Sequence, residues 1–246
     1  MTLHNSKIKR RVTFMMKLYT AVGRFQKKGC VGGLSCPVIF AGQREYSVDL
    51  QEMMLWTILN RRILEAYEIG ELYRSKSLEV GYDTHRSWED CLNRLHQRGL
   101  VVSGTGETGE DALYNLLSCL YIIPISNSTL LRLATFLKLT LVNGKSFSIA
   151  KRVFERHPMT ECEKQVYELS RQALLSTAEI IKCVDRKATD LTTNERILDL
   201  LYDDEETTSD NIASLVRCLD SRQPVILAVA NLYFAQQIIF ERGDVA

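Results

Sequence analysis

The stretch "LVVSGTGETGEDALYNLL", Leu100 to Leu117, constrains this chain more than any other: Gly104, Gly106 and Gly109 stand in G-x-G-x-x-G spacing between a β-like run and a helical one. That spacing cradles a dinucleotide pyrophosphate when it opens a βαβ unit and an acidic residue about 20 positions later holds the ribose hydroxyls. Neither condition holds. After Asp111 no Asp or Glu occurs before Glu155, helical segments precede the run, and Glu107, Glu110 and Asp111 would repel a pyrophosphate. The glycines are read instead as the permissive positions of a tight hairpin loop after a strand at Val101 and Val102. The chain then returns through Ala112 to Leu117, as a short strand or as the start of a helix.

Three helical segments lead into this run. "DLQEMMLWTILNRRILEAY" places Leu50, Met53, Met54, Trp56, Ile58, Leu59 and Ile63 on a broad apolar face, with Asp49 as N-cap. "EIGELYRSK" follows as a short helix over Glu68 to Tyr73. The third, Thr84 to Gln97, takes Asp83 or Thr84 as cap, buries a stripe of Trp88, Cys91, Leu92 and Leu95, and stops at Gly99.

Helix, short helix, amphipathic helix ending in "CLNRLHQRGLVVSG", then a glycine-rich hairpin: over residues 45–122 this order resembles the winged helix-turn-helix domains of bacterial transcriptional regulators of the MarR and PadR kinds. The resemblance implies that the third helix enters the DNA major groove and that the wing touches the backbone or minor groove. Carried onto this chain, it makes Thr84, His85, Arg86, Asn93 and Arg94 the DNA-facing residues of the third helix, with Arg86 and Asn93 reading bases. Arg74, Ser75 and Lys76 would add phosphate contacts. The implied mechanism is a symmetric homodimer on double-stranded DNA, with two third helices about one helical turn apart. The wing departs from the pattern: Ser103 to Asn115 holds three carboxylates and no Lys or Arg.

Charge is distributed unevenly. Residues 1–44 hold nine Lys or Arg and no acid, so a net charge of +1 for the whole chain leaves the remainder at −8. This basic N-terminal arm, with a short strand or hairpin at "CVGGLSCPVIFAGQREYSV", either contacts a polyanion or is a solvated terminus. In the first case Lys7, Lys9, Arg10 and Arg11 track phosphates or the minor groove. Seven cysteines without paired spacing suit reduced thiols, and with no apolar run of membrane-spanning length the sequence reads as cytoplasmic, with no membrane partner.

Residues 123–246 read as helical. "LLRLATFLKLTLV" is apolar nearly all round, "TECE" at Thr160 to Glu163 is a capping box opening a segment through Cys183, and "PVILAVANLYFAQQIIFER" is a strongly apolar helix running to Gly243. No internal repeat stands out. The expected fold is therefore mainly α: a winged helix-turn-helix domain with a small β-hairpin, then an all-helical C-terminal domain for oligomerisation or effector sensing. No P-loop, G-x-S-x-G, H-E-x-x-H or paired metal-ligand cluster occurs, so the sequence implies neither an enzyme nor a cofactor or metal. Two further readings stay open: a protein-protein interaction module on the same scaffold, and a redox-responsive regulator using Cys91.

Overall fold

The computed structural model describes residues 15–29, 35–81, 85–125, 158–204 and 206–243. They form helices and three small antiparallel sheets. Strand β1 (Met16–Ala21) runs between β5 (Leu64–Glu65) and β6 (Val101–Gly106). Its alternating side chains serve two cores. Tyr19 and Ala21 face a first core built from Leu55, Trp56 and Leu59 of α1 (Leu50–Leu59), Ile69 and Tyr73 of α2 (Ala66–Val80), and Cys91, Leu92 and Leu95 of α3 (Trp88–Gln97). Leu18 and Val22 face a second core. A sheet buried on both sides fixes strand register strongly, because a slip of one residue would exchange the two faces.

Between β1 and α1 lies a meander of β2 (Arg24–Gly29), β3 (Ser35–Ala41) and β4 (Arg44–Ser47), anchored by fully buried Ile39. The basic arm expected over 1–44 is thus folded into the molecule from Met16 onward, and β1 is the middle strand of its sheet. Lys7, Lys9, Arg10 and Arg11 lie outside the described residues, as do Thr84 and the apolar run "LLRLATFLKLTLV".

The second core belongs to a second unit. Strand β7 (Leu120–Pro124) runs between β8 (Leu175–Ser176) and β9 (Ile238–Arg242), covered by α4 (Gly109–Leu117), α5 (Glu161–Gln172), α6 (Thr177–Asp185) and α9 (Arg222–Phe234). Helix α7 (Asn194–Leu201) and the single-turn α8 (Ile212–Leu215) fill the interval between α6 and α9. The all-helical C-terminal domain is therefore corrected to a helical unit with its own sheet. The expected last helix ends at Phe234, where Gln236 turns left-handed (φ 60°), and "IIFER" leaves as a strand against β7. The segment opened by Thr160 also breaks, at Ala173, whose backbone is extended, into α5, β8 and α6.

The two units repeat one plan. In each, the first strand is central, a two-residue strand leads straight into a capped helix on one side, and the last strand closes the other side. The registers coincide: Leu18 with Glu65, Tyr19 with Leu64 and Ala21 with Val101 in the first unit match Tyr121 with Ser176, Ile122 with Leu175 and Pro124 with Ile238 in the second. One constant shift in numbering carries the capping box of α1, Asp49 and Glu52, onto that of α5, Thr160 and Glu163. The same shift carries the box of α2, Glu65 and Glu68, onto that of α6, Ser176 and Glu179. Helices α3 and α9 end in the same hydrogen-bonded turn. Gly99 N–H donates to His96 and Leu100 N–H to Leu95, as Gln236 does to Tyr233 and Gln237 to Leu232.

The glycine run has a different physical cause from the one expected. Gly104 and Gly106 lie within β6, which pairs with β1, and the chain returns as helix α4, so no hairpin forms there. None of the three glycines has a positive φ. A Cβ at Gly104 would come within 2.2 Å of Leu116 N, and one at Gly106 within 2.3 Å of Ala112 N. The glycines let the backbone of α4 lie directly on the strand.

Candidate nucleic-acid interface

Helices α2 and α3 form the pair on which the expected DNA contacts fall. Glu65 and Glu68 cap α2, which ends at the left-handed Gly81 and is longer than its sequence pattern indicated. Gly70 sits against Trp88, where an added Cβ would lie 3.0 Å from the indole ring, so this glycine allows the two helices to approach. Ser87, rather than Asp83 or Thr84, caps α3, with Asp90 N–H donating to its Oγ at 3.1 Å. The stripe Cys91, Leu92 and Leu95 is buried, leaving Glu89, Asp90, Asn93, Arg94 and Gln97 exposed.

A buried carboxylate fixes this helix. Glu52, 1% exposed, accepts from Arg94 Nε at 2.7 Å, from Arg98 Nη1 at 2.9 Å and from the Asp49 backbone N–H at 3.3 Å. Arg86 Nη1 pairs with Asp49 Oδ2 at 2.7 Å. Burial alone would raise the Asp49 carboxyl, but the Glu52 N–H and the Arg86 guanidinium outweigh it and hold Asp49 below its ordinary value. Arg86 and Arg94, expected to meet DNA, are thus engaged in holding α3 against the N-terminus of α1. Asn93 and Gln97, one turn apart, are the exposed amides of the outward face; His85 is exposed just before it. On α2, Arg74 Nε donates to Gly70 O at 3.0 Å, Lys76 pairs with Glu79 at 2.7 Å, and Ser75 is exposed.

Sequence reasoning missed Glu52, Arg98 and Gln97, and missed the second unit's version of the clamp. There Asn231 stands where Arg94 does, and its Nδ2 donates to Glu163 Oε1 at 2.9 Å. The signal was present in the two D/T-x-x-E boxes, each followed at equal distance by a second box with glutamate at its end. The outward faces differ. Where α3 presents Asp90 and Gln97, α9 presents Leu227 and Phe234, 50% and 49% exposed.

Two of the three carboxylates after β6, Glu110 and Asp111, also have partners. Glu110 receives Arg222 Nη2 at 2.8 Å and Gln223 Nε2 at 3.3 Å, tying the start of α4 to the start of α9, and Asp111 accepts from Thr108 Oγ1 at 2.8 Å. Cys91 is fully buried, and burial raises its thiol, which removes the exposed thiolate that a redox role would need. Among the described residues no helix is long and apolar enough to cross a membrane. Comparison of the chain with models of known families, with curated proteins and with solved structures gave no match.

Proposed function

We propose that the chain is a double-stranded DNA-binding regulator made of two tandem helix-turn-helix units, each on a three-stranded sheet whose central strand comes first in the chain, and that it binds as a dimer through α3 of the first unit. The observation that carries this reading is the outward row of α3: Asn93 and Gln97, side by side on a helix held rigid by the Glu52 clamp. Both amides suit bidentate pairing with the N6 and N7 edge of adenine, so the site read contains A·T pairs. Lys76 and Arg74 on α2 supply backbone contacts that position the helix. Helix α9, apolar at the matching positions, gives the second unit no such row.

The test is selection from a random duplex pool followed by mobility shift of the selected duplex. Affinity falls steeply between about 50 and 200 mM salt. Asn93→Ala and Gln97→Ala each weaken the selected site about tenfold, while Lys76→Ala weakens all sequences alike and lowers the salt slope by about one. A pool that yields no retarded duplex at low salt overturns the reading. That outcome favours a protein-docking module, for which exposed Glu89, Asp90, Leu227 and Phe234 are the supporting residues.

A further inference from the structure

A groove of about 690 Å³ runs between the two units, along the outer edge of β6 and past the end of β9. Its lining mixes polar and apolar side chains and comes from both units. At one end His96 of α3, Ser103 of β6 and Arg242 of β9 meet, with Ser103 Oγ 3.2 Å from His96 Nε2. Lys17 stands on β1 opposite Thr105, on the sheet face that also carries Ser103, which is opposite Tyr19. The guanidinium of Arg242 lies over Gly99, where an added Cβ would be 2.5 Å from Nη1. Gly99 therefore serves twice, closing α3 at φ 70° and leaving room for this cation.

Lys17 and Arg242 have no carboxylate partner within salt-bridge distance among the described residues. Burial first, then the charges of Lys17 and Arg242, lower the His96 pKa, so both cations act on the same small volume. The acids lining the groove lie elsewhere along it. Glu179 accepts from Ser176 N–H at 2.6 Å and Tyr202 OH at 2.7 Å, and Asp210 is on the loop before α8. Two unneutralised cations, a hydroxyl and a ring N–H from four different elements match a tetrahedral dianion, which offers three terminal oxygens, better than a carboxylate.

We propose that this end of the groove, lined by His96, Ser103 and Arg242 with Lys17 close by over the Tyr19 ring, binds the phosphate group of a small phosphorylated ligand. Because His96 and Gly99 belong to the end of α3 and Arg242 to the second unit, an occupied site joins the two units across the helix assigned to DNA. That regulatory consequence rests on the reading of α3 given above; the binding site itself does not.

The experiment titrates the full chain with inorganic phosphate at constant ionic strength, by calorimetry and by NMR of His96, and separately with the selected duplex. Phosphate binds one site per chain and raises the His96 titration midpoint, because a nearby anion favours the charged ring. Lys17→Gln and Arg242→Gln each weaken phosphate about tenfold. They leave the melting temperature and duplex affinity unchanged. Phosphate that leaves His96 unmoved, or that binds both variants as tightly as the natural chain, overturns the site. Variants weakened only toward the duplex assign the phosphate to the DNA backbone and overturn the small ligand. Phosphate binding that persists with no duplex retained would instead sink the DNA reading and leave this site standing.

Discussion

Glu52 shows how one side chain can decide the geometry of an interface it never touches. Its carboxylate is buried, which is unfavourable without partners, and it has three: the Asp49 N–H, Arg94 and Arg98. The two arginines remain 53% and 29% exposed at their side chains, so water still reaches them when the carboxylate is removed. Glu52→Ala therefore loses the capping bond and the clamp without stranding buried cations. It should destabilise the protein by about 2 kcal/mol in urea unfolding. Arg94→Ala leaves Arg98 on the carboxylate and should cost less than about 1 kcal/mol. Equal losses for the two variants would show that Glu52 does not organise the pair. The matching Glu163 accepts instead from the neutral Asn231 amide and the Thr160 N–H, so the same position is satisfied without either arginine.

At the scale of elements, Gly104→Ala tests the cause assigned to the glycine run. Its Cβ would meet backbone atoms of α4, at 2.2 Å from Leu116 N and 2.4 Å from Ala112 O, so helix and strand must separate. The expected loss is about 3 kcal/mol. Gly81→Ala meets nothing within 4 Å and pays only for its left-handed φ of 64°, about 1 kcal/mol. A larger melting-temperature drop for Gly81→Ala than for Gly104→Ala would mean that conformational freedom, not close approach, is what the run supplies. The contrast also marks what was legible in the sequence. The Asp49 cap, the buried stripe of α3, the Gly99 stop and the Thr160 box are local signals, and the structure has each of them. Strands β5 and β8 are two residues long and exist only because β1 and β7 lie beside them, so no local pattern announces them. The expected site was legible in part: Asn93 is on the open face, but the engagement of Arg86 and Arg94 depends on two acids in a distant helix. The repeat stayed hidden because the matched positions share burial and capping rather than residue identity, as with Leu55 and Val166 or Glu65 and Ser176.

Across the whole molecule the two units are joined through buried polar atoms as well as through apolar surface. The Tyr233 hydroxyl, on α9, accepts the Arg61 N–H at 2.8 Å and lies 3.0 Å from Thr20 Oγ1, while Gly23 N–H donates to Phe240 O at 2.9 Å and Gly42 N–H to Glu241 Oε2 at 2.6 Å. Strand β1 contributes to both cores, so neither unit can lose its packing without exposing a face of the other. The units should therefore unfold together. Both tryptophans, Trp56 and Trp88, belong to the first unit, and buried Cys183 belongs to the second, its thiol pushed up to about 12 by burial. Tryptophan fluorescence and Cys183 labelling should give one denaturant midpoint, the standard sign of a single cooperative transition. Tyr233→Phe leaves the Arg61 N–H without its acceptor and should lower stability by about 1 to 3 kcal/mol, moving both probes by the same amount. If the fluorescence midpoint moves while Cys183 protection stays where it was, the hydroxyl stabilises the first unit alone. The two cores would then be separate folding units, and a ligand bridging them at Arg242 could not transmit its binding to α3 through the shared strand.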